Sequence, residues 1–547
     1  MSTDARRTDA RSTGARSTGT RSTGRRSARP VTAGFWPVLH AEWTKFRTVR
    51  GWVVGMVLAA LLTVGIALLD HSSCGGQVTP GGPVIAGVGC RAPIGPGGEA
   101  VTDSFYFVHH PLVGDGSVTA RLTSLASLSG QTAQPWAKGG LIIKVSTRPG
   151  SAYAAVMLTG GHGVRMQYDY TADIDGNVVA GAHAVPHWLR LTRAGDAITG
   201  YESADGTQWT KIGTAVLAGL PPTVQAGMFA ASPAGSERAG SQSIFGSSAG
   251  DGMTLATASF TDVSLRSGGR TGTAATGTGA PGTGAPGKWS GAAVGGLTPG
   301  EGFRQARGTV TVTGTGDIAP DVPAAPGTAA GTPAEQTLEG TFGGLIAVII
   351  VGVMFMTAEY RRSLLRVTFS ATPGRGTVLA AKAVVIASAT FVAGLAGAAV
   401  AMPAGEALLR SQGNFILPIG LLTQVRLVTG TAALLAVAAV LGVALGAILR
   451  HGAAAVTVIV LTVVLPYFFA AQLALLPVGA ADWLLRVTPA AAFAVQQTTP
   501  QYPQVAASYT PVNGYFPLAP LAGLAVLCGY AAGALILAVI LLRRRDA

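Results

Sequence analysis

The 547-residue chain is 48% hydrophobic, has a mean hydropathy of +0.43, and carries charge on only 12% of its residues. Soluble domains carry about a quarter, so this composition excludes an ordinary soluble enzyme and points to a membrane protein. The net charge of +13 is no nucleic-acid signature, because no stretch interleaves basic and aromatic residues as a nucleic-acid surface would.

Residues 1–34 contain the tandem "RSTGARSTGTRSTGRRS", which lacks apolar periodicity and is expected to be a disordered, Arg-rich tail. Residues 35–51 follow as an amphipathic helix. Trp36, Leu39, Trp43 and Phe46 recur at helical spacing while His40, Lys45 and Arg47 lie off that stripe, the pattern of an elbow lying in the interface with membrane lipid.

Six stretches without Asp, Glu, Lys or Arg read as membrane spans: 52–69, 341–357, 383–402, 428–449, 453–477 and 520–542. A charge at mid-bilayer costs about 2.5–3.5 kcal/mol, so such long uncharged runs are a strong signal. Pro466 is expected to kink the fifth span, and "GVALG" (442–446) has the small-residue spacing that lets helices approach closely.

Lys and Arg set the orientation. With the N-terminus inside, the tail and elbow, the 358–382 loop, Arg450 and the C-terminal "RRRDA" collect +15, more than the whole chain's +13. Both termini are therefore expected in the cytoplasm of a multi-pass plasma-membrane protein.

The large segment after the first span is then external. In 70–102, Cys74 and Cys90 flank a Gly/Pro-rich loop, either as a disulfide, which an oxidising exterior favours, or as two free thiols. Cys528 in the last span reads as a small packing residue.

From 103 to 266, short strands alternate with turn residues. "HWLRLTR" and "DAITGYES" have the period of half-buried antiparallel strands, and Asp205-Gly206 and Asp175-Gly176 supply turns. The expected fold is a helical membrane protein of six transmembrane helices with an all-β sandwich inserted between helices 1 and 2. Residues 267–340 read as a Gly/Thr/Pro-rich linker, from which 308–321 could return a strand to the sandwich.

Chemistry is sparse. "GTGAPGKW" (282–289) is the nearest approach to a phosphate-binding loop, but Trp289 stands where a Mg²⁺-binding hydroxyl is needed and no strand precedes it. The chain is therefore expected to have no catalytic residues, bound cofactor or metal. His109, His110, His162, His183 and His187 match no common metal spacing. "DIDGN" (173–177) suits a calcium ligand pair or a tight hairpin. Trp136, Tyr153 and Tyr168 are candidate contacts to cell-wall glycan, or else core packing residues.

Two resemblances rest on particular segments. "AEWTKFRTVRGWVVG" (41–55), "AEYRRSLLRVTFSATPGRGTVLAAK" (358–382) and "WLLRVTPAAAFAVQQ" (483–497) resemble the ABC-2 type permeases, the membrane subunits of bacterial ABC exporters. The sandwich segments "HWLRLTRAGDAITGYESADGTQWTKIG", "VQAGMFAAS" and "ATASFTDVSL" resemble concanavalin-like, laminin-G-like modules of the DUF1349 kind.

The first resemblance implies a separate ATP-binding subunit carrying ATP and Mg²⁺, and pairing with a second permease as a homodimer or heterodimer. It also implies a cytoplasmic coupling loop in which Glu359, Tyr360, Arg361, Arg366, Pro373 and Arg375 contact the ATPase, and short re-entrant helices within 483–516. The second leaves an alternative, a membrane-anchored glycan-binding or sensing protein.

Overall fold

Six helices among the described residues are long and apolar enough to cross a membrane: Arg50–Ala67, Ala334–Tyr360, Arg375–Ser411, Leu421–Leu449, Gly452–Ala471 and Pro520–Arg544. The computed structural model describes residues 34–69, 92–127, 133–177, 186–233, 254–267, 289–322, 331–361, 374–472, 476–505, 507, 509–511 and 514–545.

In chain order the helices are α1 (Phe35–Thr48), α2 (Arg50–Ala67), α3 (Thr341–Arg361), α4 (Arg375–Ser411), α5 (Leu421–Leu449), α6 (Gly452–Ile459), α7 (Val478–Val487) and α8 (Pro520–Arg545). Several outrun the uncharged windows that announce them, because a helix continues past its apolar run until the backbone is stopped. α4 begins after Gly374 and ends where Gly413, at φ 88°, and Asn414 donate their N–H groups to Arg410 O and Leu409 O. The consequence is that Lys382, Glu406 and Arg410 belong to this helix.

Around Pro466 the fifth span is irregular. α6 passes into π-helical turns at Val460–Val464 and Phe468–Gln472 on either side of Leu465–Tyr467. The proline can donate no ladder hydrogen bond, and the expected kink takes the form of widened turns. Residues 489–496 form a 3₁₀ helix with all eight residues buried.

The small-residue spacing in α5 serves packing against α3. A Cβ on Gly442 or Gly446 would stand 3.2 Å from backbone atoms of Ile349 and Val353, and one on Gly352 would be 2.5 Å from Ala439 O. Backbones this close are how helices associate where lipid removes the hydrophobic driving force.

The β domain extends beyond its expected boundary. Its strands are β1 (Val101–Asp103), β2 (Phe105–Val113), β3 (Gly116–Ser127), β4 (Lys138–Lys144), β5 (Tyr153–Thr159), β6 (Val164–Tyr168), β7 (Ala172–Asp175) and β8 (His187–Ala194). They continue with β9 (Ala197–Ser203), β10 (Thr210–Val216), β11 (Thr223–Ala231), β12 (Ala256–Ser267), β13 (Ser290–Val294), β14 (Gly302–Ala306), β15 (Thr309–Gly314) and β16 (Ile318–Pro320).

One sheet runs β10-β9-β8-β3-β12-β15-β14 and the other β13-β2-β11-β4-β5-β6-β7, antiparallel throughout. The stretch read as a linker thus supplies four strands, three of them completing the two sheets. Thr309–Gly314 is the return strand expected within 308–321.

Leu141, Ile143, Val156, Leu189, Leu191, Met228 and Phe260 fill the space between the sheets. β4 and β5 are buried along their whole length, because their other face is covered too. There Phe105, Phe107, Ile142, Tyr153, Met157 and Phe229 pack with Val101 and Ile318 from a separate two-stranded ribbon, β1–β16. Two buried ion pairs pin this ribbon: Lys138 with Asp317, and Lys144 Nζ to Asp103 Oδ2 at 2.7 Å.

The ribbon joins the sandwich to the spans, and Asp321 lies just past its end. The carboxylate is buried, one oxygen accepts from Gly331 N–H at 3.4 Å, and Oδ1 has no partner among the described residues. Burial pushes its pKa up to about 6. A group whose pKa is higher folded than unfolded supports the fold fully below about pH 4 and loses that support as pH rises through about 6. The junction should therefore weaken between about pH 4 and 6, by up to about 3 kcal/mol. Thermal melting at pH 5 and pH 8 checks this: Asp321→Asn should shrink the difference between the two melting temperatures, and an unchanged difference would refute it.

Candidate functional site

Lys382 sits two turns inside α4 with no exposed surface. Its ammonium donates to Glu42 Oε2 and Glu359 Oε1, both at 2.7 Å, and lies 4.7 Å from the centre of the Phe355 ring. Lys45, half exposed, donates to Glu42 Oε1 at 2.7 Å and Glu359 Oε1 at 3.4 Å. The four charges cancel. They come from three elements, α1, α3 and α4, and meet at the end of the bundle remote from the sandwich.

The helix dipole bears on Glu359. This residue stands in the last turn of α3, where the dipole repels a carboxylate. Its own helix does not favour that charge, and the fully buried ammonium of Lys382 likewise needs the two carboxylates it bonds.

Apolar packing closes the cluster. Phe355 meets Phe46 and Trp52 edge-on at 5.9 and 5.8 Å, while Val38 of α1 packs on Val378 and Ala381 of α4. The elbow helix is expected to lay a stripe of Trp36, Leu39, Trp43 and Phe46 against lipid, and in the structure that stripe divides between the bundle and the outside. The buried residues are Val38, Glu42 and Phe46, with Leu39 partly buried, whereas Trp36 is 76% and Trp43 41% exposed. The charged Glu42 takes the inward position because Lys382 awaits it, and the tryptophans turn outward.

This cluster flanks the segment expected to contact an ATPase. Of that 358–382 segment, Glu359, Tyr360 and Arg361 form the end of α3 and Arg375 and Lys382 belong to α4, while Arg366 and Pro373 lie outside the described residues. Tyr360 donates its hydroxyl to Ala447 O at 3.4 Å beneath the Arg450 guanidinium, tying α3 to the end of α5. Arg375 donates to Leu542 O at 2.7 Å, tying α4 to α8. Both flanks of residues 362–373 are thus anchored to the bundle.

Of the four clustered residues, the sequence motifs single out only Glu359 as a contact residue, and the spans read as free of ionisable groups. Glu42, Lys45 and Lys382 lie in the segments that carry the permease resemblance, but nothing in those segments says that the four meet.

The remaining candidates fall elsewhere. Tyr153 is fully buried under the ribbon and has no surface to offer a glycan, which corrects that expectation. Trp136 is nearly buried, stacked on His162 at 3.8 Å with Arg165 over its ring, and Tyr168 packs against the inter-sheet core. Asp173 and Asp175 both pair with Arg165. Trp289 is buried against the sandwich core beside His110. Cys74 and Cys90 lie outside the described residues, and Cys528 is exposed on α8 rather than packed.

No family model matches the chain, and no curated protein does. Among solved structures, a functionally unknown protein from Saccharomyces cerevisiae is 14% identical over 30% of this chain and 75% of its own, with a TM-score of 0.19. Scytalido-glutamic peptidase with a transition state analog inhibitor is 11% identical over 40% of this chain and 99% of its own, with a TM-score of 0.25. SCP-B, a member of the Eqolisin family of peptidases, is 10% identical over the same shares, with a TM-score of 0.23. Similarity this slight says nothing about fold or activity.

Proposed function

We propose that the chain is the membrane-spanning subunit of an ABC-2 type exporter, driven by ATP hydrolysed on a separate subunit, with Mg²⁺ bound there. In this reading the end remote from the sandwich is cytoplasmic, the sandwich is extracytoplasmic, and two permease copies or partners flank the substrate path. The observation that carries it is the Glu42–Lys45–Glu359–Lys382 cluster. It fastens both flanks of residues 362–373 to the elbow, so that a push on that segment moves α1, α3 and α4 together.

A solvated topology marker has no need of a fully buried lysine bridging two buried glutamates. An anchored glycan reader finds less support, because Tyr153 and Trp136 are enclosed by the chain itself.

Arg366→Glu halves the net charge of the 358–382 coupling segment, from +4 to +2, at a position that is not one of the four clustered residues. The variant should reach the membrane at wild-type level while the amount of copurifying ATP-binding subunit falls at least tenfold. Undiminished copurification would count against this segment as the docking surface.

A further inference from the structure

The sandwich is attached to more of the bundle than its own insertion point requires. Its ribbon begins and ends on the chain leaving α2 and entering α3, and Ala92 and Ala100, beside the ribbon, pack against Leu417 and Phe415 in the α4–α5 connection. Beyond the ribbon, Thr332 pairs with that same connection: its N–H donates to Phe415 O at 2.7 Å and its carbonyl accepts from Leu417 N–H at 3.0 Å.

A third attachment involves the connection between the 3₁₀ helix and α8. Val505, with Tyr502 and Ala507, packs on Ala319 and Val322, and the buried Gln504 side chain donates to Thr171 O at 3.2 Å in the β6–β7 turn. All three connections at this end of the bundle therefore converge on one rigid β domain.

We infer that the sandwich is a clamp that holds the near ends of α2, α3, α4, α5 and α8 together, so that these ends separate only when the ribbon contacts release. The rigidity comes from the ribbon, because Lys138–Asp317 and Lys144–Asp103 fix it to the sheet without exposed surface on either lysine. A domain serving only to present a binding face outward would need one flexible tether, whereas this one also packs against the α4–α5 connection and the segment before α8. The inference concerns the outer ends of the helices and goes beyond the proposed coupling to ATP; it holds or fails without any nucleotide-binding subunit.

The test is amide hydrogen exchange on the full-length chain in lipid nanodiscs. Val505→Asp combined with Gln504→Ala breaks the third attachment from the side away from Asp321 and Ala100. If the attachments act as one clamp, exchange should also accelerate at least tenfold at Phe415–Leu417, which neither substitution touches. Acceleration confined to residues 500–507 would show independent contacts and overturn the clamp.

A second variant works in the opposite direction and does not risk the fold. Thr171→Cys with Gln504→Cys, joined by a short bifunctional thiol reagent, should slow exchange at Phe415–Leu417 severalfold. An unchanged rate there in the linked chain would equally overturn the inference.

Discussion

Replacing Lys382 by Met is expected to destabilise the end of the bundle remote from the sandwich by about 3–5 kcal/mol, the range found when one partner of a buried ion pair is removed. Among the described residues the ammonium is the only cation reaching Glu42 Oε2, and Lys45 contacts Glu359 Oε1 only at 3.4 Å. Without Lys382, two carboxylates share one half-exposed lysine in a site closed by Phe46, Trp52 and Phe355. The loss should be partly reversed in Lys382→Met with Glu359→Gln, because that pair leaves Glu42 matched to Lys45. Melting temperatures of the two single variants and the double variant form a cycle that isolates the coupling. A single variant that melts like the wild type would show that the cluster holds nothing together.

Gly352→Leu is expected to separate α3 from α5. Even the first carbon of the new side chain would stand 2.5 Å from Ala439 O, and a backbone carbonyl inside a helix cannot move aside. Overpacking costs about 1–3 kcal/mol in a well-packed core, and more where backbone must shift. Gly533→Leu is the control, since nothing lies within 4 Å of the same position on that glycine. The first variant should lower the melting temperature and open the α3–α5 contact to protease, and the second should do neither. Equal behaviour of the two would refute close backbone packing as the basis of this contact.

The spans were legible because hydrocarbon tolerates so few charges that uncharged runs of this length seldom occur outside a membrane. The same rule hid the site. Starting the third span at Ala383 leaves Lys382 one residue outside it, whereas the helix runs unbroken from Arg375 and buries that lysine among helices far apart in sequence. Only the partners' position in space tells a buried ammonium from a loop charge.

The sandwich shows a similar division. Alternation in β8 and β9 was readable within a few residues, and buried and half-buried positions alternate along β8 accordingly. β13 to β16 were hidden in a Gly/Thr/Pro-rich segment whose composition resembles a linker, and the ribbon needs Val101 to meet Pro320 across the whole domain. Aromatic residues were ambiguous for the same reason. Nothing in the neighbourhood of Tyr153 reveals that a distant ribbon covers it.

If the chain is a permease driven by a separate ATPase through the segment that Glu359 and Lys382 flank, its partner should be recoverable. The most direct measurement is affinity purification of the full-length chain from its native membrane, followed by an assay of Mg²⁺-dependent ATP hydrolysis in lipid nanodiscs. An ATP-binding subunit should accompany the chain in equimolar amount, and hydrolysis should persist in the wild-type complex but be lost with Arg366→Glu. A chain that purifies to homogeneity from those membranes with no nucleotide-hydrolysing subunit would contradict the proposal.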